Sequence, residues 1–143
     1  MSNVRRRMSL HLSERLLPLL RDAFPTQAIE LGPQAHILAT YSSHHPEVGS
    51  AAIQDDGDEI TLFLGNKTHL HFGSYDETIS EEQRAIDIAN QVVAFLEKLF
   101  ADEIEFYGYG AAGGCRERSE CKRGFMSRVL LGYKTYVWSG PVA

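Results

Sequence analysis

The sequence predicts an α+β fold: an antiparallel β-meander of about five or six strands, with a long helix packed on one face and an N-terminal helix. Three observations carry that expectation. Residues 49–72 alternate apolar and polar side chains around two turn signals, Asp56-Gly57 and Gly65-Asn66-Lys67. Residues 81–100 repeat apolar side chains with the helical period behind a Ser-Glu-Glu-Gln capping box. The chain has 143 residues, 43% of them apolar, which suits one domain built around one core.

The elements follow in order. Residues 1–8, with Arg5, Arg6 and Arg7, read as a flexible basic tail. Leu10, Leu12, Leu16, Leu17, Leu19, Leu20, Ala23 and Phe24 then recur near helical spacing, with Ser9 or Ser13 as N-cap. Pro18 is tolerated only near a first turn or at a kink, so the helix is placed to start close to Ser13. Ala35 to Ser42 reads as a strand, and Ser43, His44, His45 and Pro46 as the loop into the next one near Val48. A type I′ turn at Asp56-Gly57 would set Ile53 against Ile60, Ala51 against Leu62 and Gly49 against Leu64. The three-residue turn Gly65-Asn66-Lys67 then pairs Leu62 with Leu70 and Ile60 with Phe72. A two-residue turn would set Leu62 against His69 and turn the wrong side chains inward. Ile60, Leu62, Leu64, Leu70 and Phe72 therefore share the buried face, and Phe63, His69 and His71 the opposite one.

After Ser80 the long helix places Ala85, Ile86, Ile88, Ala89, Val92, Val93, Phe95, Leu96, Leu99 and Phe100 on an apolar half that should cover that buried face. Ile104 to Tyr109 reads as a strand, residues 110–127 as a Gly-rich basic loop, and Val129 to Trp138 as the last strand.

Composition narrows the function classes. No run approaches the roughly 18 apolar residues that span a bilayer, so neither a secretion signal nor a membrane anchor is expected. Two cysteines, Cys115 and Cys121, are too few for a disulfide scaffold, and a cytoplasmic protein is the expectation. The net charge of −5 is unevenly spread: residues 22–105 hold 16 acids against Lys67, Arg84 and Lys98, while residues 1–21 and 106–143 are each +4. An acidic body with basic ends attracts a cationic partner, or folds its ends back on itself or on a second protomer.

His69 and His71 project from one strand face and could share a metal ion, with His44 and His45 from the preceding loop completing the set. The spacing resembles the His-x-His of cupin metal sites over Gly65 to His71, with Glu77 as a further match. The chain departs from that pattern in three ways: Gly65 is too close to His69, Glu77 is too far from His71, and no histidine follows downstream. The plainer reading is a half-exposed sheet face with Phe63 stacked on His69 across the strands. Gly108, Gly110 and Gly113 resemble the dinucleotide-binding fingerprint, which requires a helix next. The residues that follow, Gly114 to Arg123, offer no apolar stripe, so that reading is set aside.

The same stretch holds Arg116, Arg118, Lys122, Arg123 and Arg128, a conceivable seat for a phosphate-bearing ligand or an acidic surface, against the plainer reading of a solvated loop. Asp55, Asp56, Asp58 and Glu59 resemble the opening of a calcium loop but read as turn formers, because no acid occupies the twelfth position. No GxSxG elbow occurs and neither cysteine has an established catalytic context, so the balance leans away from an enzyme.

The chain has a general likeness to small bacterial proteins, which implies no activity. The leading expectation is a non-catalytic protein–protein interaction domain, immunity-like or antitoxin-like, that meets a basic protein partner and forms a homodimer. Nucleic acid and membrane partners are disfavoured by the acidity and hydropathy. The alternative is a small metal- or phosphate-ligand-binding domain or enzyme. It would use Phe63, His69 and His71 with the basic residues of 110–128, and no cofactor other than a divalent metal is expected.

Overall fold

The computed structural model describes residues 12–30, 36–43, 45, 48–65, 68–109, 112–117 and 134–141. Helix α1 (Leu12–Ala23) precedes a meander of four antiparallel strands in the order β1 (Ile37–Ser42), β2 (Ser50–Asp55), β3 (Glu59–Leu64) and β4 (Thr68–Gly73). Helix α2 (Glu81–Phe100) follows, then a second four-stranded antiparallel sheet, in the order β6-β5-β7-β8. Its strands are β5 (Ile104–Tyr109), β6 (Ala112–Glu117), β7 (Lys134–Val137) and β8 (Gly140–Pro141). The α+β class, the meander and both helices are as the sequence predicts; the strands beyond α2 pair among themselves rather than extending the meander. No described helix is long and apolar enough to cross a membrane.

Each element has a local cause. In α1, Leu12, Leu16 and Leu20 repeat every fourth residue and bury one stripe, while Pro18 lies on the exposed side. The helix runs through Pro18 because the Glu14 carbonyl, which loses its amide partner there, is on an exposed residue that water can reach. In α2 the Ser80 side chain accepts from the Gln83 amide at 3.1 Å, one half of the expected capping box. The Gln83 side chain instead donates to Asp87 at 3.0 Å.

The two hairpins set the faces of the meander. The β3–β4 register is as expected, with Ile60 opposite Phe72, Leu62 opposite Leu70 and Phe63 opposite His69. The β2–β3 register differs from the expectation by two residues: Ile53 lies opposite Leu62 and Ala51 opposite Leu64. The turn is Gly57-Asp58 rather than Asp56-Gly57, and the Asp56 amide donates to the Glu59 carbonyl at 3.0 Å. Gly57 has φ +93° and Asp58 is not in the left-handed region, the pattern of a type II′ turn, which needs glycine at its first central position only. Asp55 stabilises it by accepting from the Gly57 amide at 2.8 Å. A shift of two preserves parity, so every side chain keeps its expected face.

Helix α2 packs over β3 and β4, and α1 over β1 and alongside α2. Ile53, Ile60, Leu62, Ile88, Val92, Leu96 and Leu99 are all fully buried there. Burial of each such side chain contributes roughly 2 kcal/mol against the entropy of ordering the chain. Ile104, Phe106, Tyr136 and Trp138 from the second sheet belong to the same core. The seam is aromatic: Phe100 meets Phe24 at 4.9 Å, Tyr41 at 5.1 Å and Trp138 at 5.3 Å between ring centroids.

The stretch read as a Gly-rich loop contains a strand, β6, over residues 112–117. Gly108 pairs with Gly113 in the antiparallel β5–β6 ladder, so the next described element after β5 is a strand rather than the helix that a dinucleotide site requires.

Candidate functional site

The side of the meander away from α2 carries a connected set of polar side chains. Asp56 extends β2, Glu59 and Thr61 lie on β3, and His71 lies on β4 opposite Thr61. Thr61 is only 4% exposed, although Phe63 and His71 on the same face are open to solvent. Its hydroxyl donates to Asp56 Oδ2, and its oxygen lies 3.0 Å from His71 Nδ1. A threonine has one hydroxyl proton. With that proton committed to Asp56, His71 must carry its own on Nδ1 and donate it to Thr61. This directs the ring's Nδ1 edge into the cluster.

Further bonds hold the two carboxylates. Gln54 Nε2 donates to Asp56 Oδ1 at 2.8 Å, and Tyr75 donates to Glu59 Oε2 at 2.9 Å. Glu59 Oε1 faces His71 Nδ1 at 3.8 Å. The Tyr75 ring lies over Gly73, the cross-strand partner of Glu59, where no Cβ stands in its way. The bond to Glu59, with its negative charge, holds the Tyr75 phenol above its ordinary pKa. At the adjoining loop, Asp76 accepts from the Thr78 amide and hydroxyl, which holds its carboxyl below the ordinary value.

The residues singled out from sequence are distributed unevenly around this set. His69 lies beside it, 5.1 Å from His71 and 6.0 Å from Phe63 between ring centroids, and Phe63 is 37% exposed. His45 packs instead near Tyr136 of the second sheet, at 6.1 Å, and beside Gly140. Among the described residues, the group able to hold a metal is Asp56, Glu59 and His71, with neither His45 nor His69 in it. Arg116 occupies the β6 position opposite buried Glu105. His44, Arg118, Lys122, Arg123 and Cys121, like the basic tail 1–8, lie outside the described residues. Cys115 is half-buried, and burial pushes its thiol pKa up, which disfavours the reactive thiolate.

Sequence reasoning reached His71 and missed Asp56, Glu59 and Thr61 as its neighbours. A turn centred on Asp56-Gly57 makes Asp56 a turn residue, whereas the observed turn makes it the last residue of the hairpin, across from Glu59. The signal that could have found the cluster is parity, since Asp56, Glu59, Thr61 and His71 all fall on the outer face in either register. Comparisons with protein-family models, curated protein sequences and solved structures find no match to this chain.

Proposed function

We propose that this chain is a non-catalytic protein–protein interaction domain, immunity-like or antitoxin-like, whose acidic body meets a basic protein partner. The observation that carries this reading is the gathering of acids at the turn end of the meander. The β2–β3 turn presents Asp55, Asp56, Asp58 and Glu59, and the Tyr75–Glu59 bond brings the loop bearing Asp76 and Glu77 alongside. Between residues 22 and 105, every described carboxylate except Glu105 is exposed or half-buried. Arg84, the nearby cation, directs its Nε to the Ser74 carbonyl at 2.8 Å. Such a surface raises the association rate of a cationic partner and weakens as salt screens it over about 8 Å. On this reading the chain works in the cytosol of a bacterium.

The test is affinity capture from native lysate at low and high salt, beside the charge-reversed variant Asp55→Lys, Asp58→Lys, Glu77→Lys. A partner retained at low salt, released at high salt and absent from the variant supports the reading. No salt-sensitive partner, or one the variant holds equally well, ends it. A homodimer through the outer face around Phe63 is a compatible proposal, and a monomeric mass by light scattering would refute it.

A second reading, a small metal- or phosphate-ligand-binding domain, is favoured by the hydrogen-bonded chain Asp56–Thr61–His71. Thermal-shift screening with phosphate esters and nucleotides separates it from the first, because a non-catalytic docking domain gives no specific shift.

A further inference from the structure

We propose that Asp56, Glu59 and His71 form a binding site for one divalent transition-metal ion of the zinc class. This deepens the second reading by naming its ligand set, and it stands whether or not a basic protein also docks.

Three observations support the site. The first is convergence. One donor atom from each of the three residues lies within 4.8 Å of the other two, although they come from three different segments of the meander. His71 Nδ1 and Glu59 Oε1, at 3.8 Å, are already near the roughly 3.4 Å that separates two ligands held about 2.1 Å from a tetrahedral ion. Small side-chain rotations at the sheet surface close the remainder.

The second is support from residues that are not ligands. Gln54 and Thr61 donate to Asp56, and Tyr75 donates to Glu59, leaving Glu59 Oε1 turned to His71. Thr61 is more than nine-tenths buried and touches both Asp56 and His71. A scattered surface cluster has no such buried hydroxyl binding its members together. Hydrogen bonds of this kind fix the orientation of the carboxylate ligands.

The third is donor chemistry. One imidazole and two carboxylates suit zinc, manganese, cobalt or iron better than magnesium or calcium, which prefer oxygen alone. Three protein ligands leave coordination positions for water, and the half-exposed His71 side chain leaves them open to solvent. On binding, the ion takes the place of the Nδ1 proton. That proton moves through water to Nε2 if the ring is neutral, or to solvent if the ring is an imidazolium. The Thr61 hydroxyl keeps its bond to Asp56 throughout.

The plainer account is that exposed acids and a histidine occur together without any ion, His71 with its Nδ1–H bond to Thr61 being sufficient. Titration of the tag-free full chain with zinc chloride by calorimetry decides between them. The expected result is one ion per chain, with affinity reduced at least about tenfold in Asp56→Asn and in Glu59→Gln, and about tenfold in Thr61→Val, which removes only the supporting hydroxyl. His69→Ala should leave the affinity unchanged. A second measurement needs no variant: manganese added to the wild-type chain should broaden the NMR signals of Glu59, Thr61 and His71 before all others. The proposal is overturned by no binding, by binding that Asp56→Asn and Glu59→Gln leave intact, by binding lost only in His69→Ala, or by broadening centred on the first turn of α2.

Discussion

Tyr41 lies in the core against Phe24 and Phe100, with no hydrogen-bond partner for its hydroxyl among the described residues. A buried hydroxyl left without a partner costs about 1–3 kcal/mol of desolvation, and burial pushes the Tyr41 phenol pKa up to about 12. The unfolded chain releases that proton near pH 10, before the folded chain does. The stability tied to the neutral ring is therefore fully present below pH 10 and is lost as pH rises toward 12. Tyr41→Phe keeps the ring contacts and removes the hydroxyl. It should raise stability in urea unfolding by about 1 kcal/mol at neutral pH and flatten the loss between pH 10 and 12. A variant less stable than wild type at neutral pH would show that the hydroxyl has a partner.

At the scale of elements, the hairpins distinguish two kinds of glycine. Gly57 holds a left-handed turn in open space, whereas Gly65, at φ +56°, sits where a Cβ would drive into the Val48 carbonyl oxygen. Gly57→Ala should therefore cost about 1 kcal/mol of backbone strain and Gly65→Ala about 3 kcal/mol, strain and clash together, by urea unfolding. Equal costs would contradict the close approach of the two loops. The fold was legible wherever a signal was local. The Ser80 cap, the period of α2, the bounds of β5 and the Gly65 turn could all be read from consecutive residues. The Asp56-Gly57 turn was misplaced because Asp-Gly and Gly-Asp both serve hairpins, and only the side-chain bond from Asp55 to the Gly57 amide favours the latter. The sequence of strand β6 reads as loop because its glycines and charges mark breaks in isolation, whereas pairing with β5 overrides them.

For the molecule as a whole, the single tryptophan, Trp138, joins the second sheet to α2 through Phe100, so the two sheets share one core. Unfolding followed by Trp138 fluorescence and by far-ultraviolet circular dichroism should give coincident midpoints. A separate fluorescence transition would mean that the second sheet melts alone. The site was legible in part. The parity of β3 and β4 turned His71 outward and Leu62 inward from sequence alone. Its tie to Asp56 depends on contacts between three segments that no local pattern encodes. The central claim is that the meander divides the molecule into a core face and a polar face on which Thr61 joins Asp56 to His71. Nitrogen-15 NMR of the His71 ring in the metal-free chain tests it most directly. The claim predicts a proton on Nδ1 that shifts toward Nε2 in Thr61→Val; a ring protonated on Nε2 in the wild type and unmoved by that substitution would contradict it.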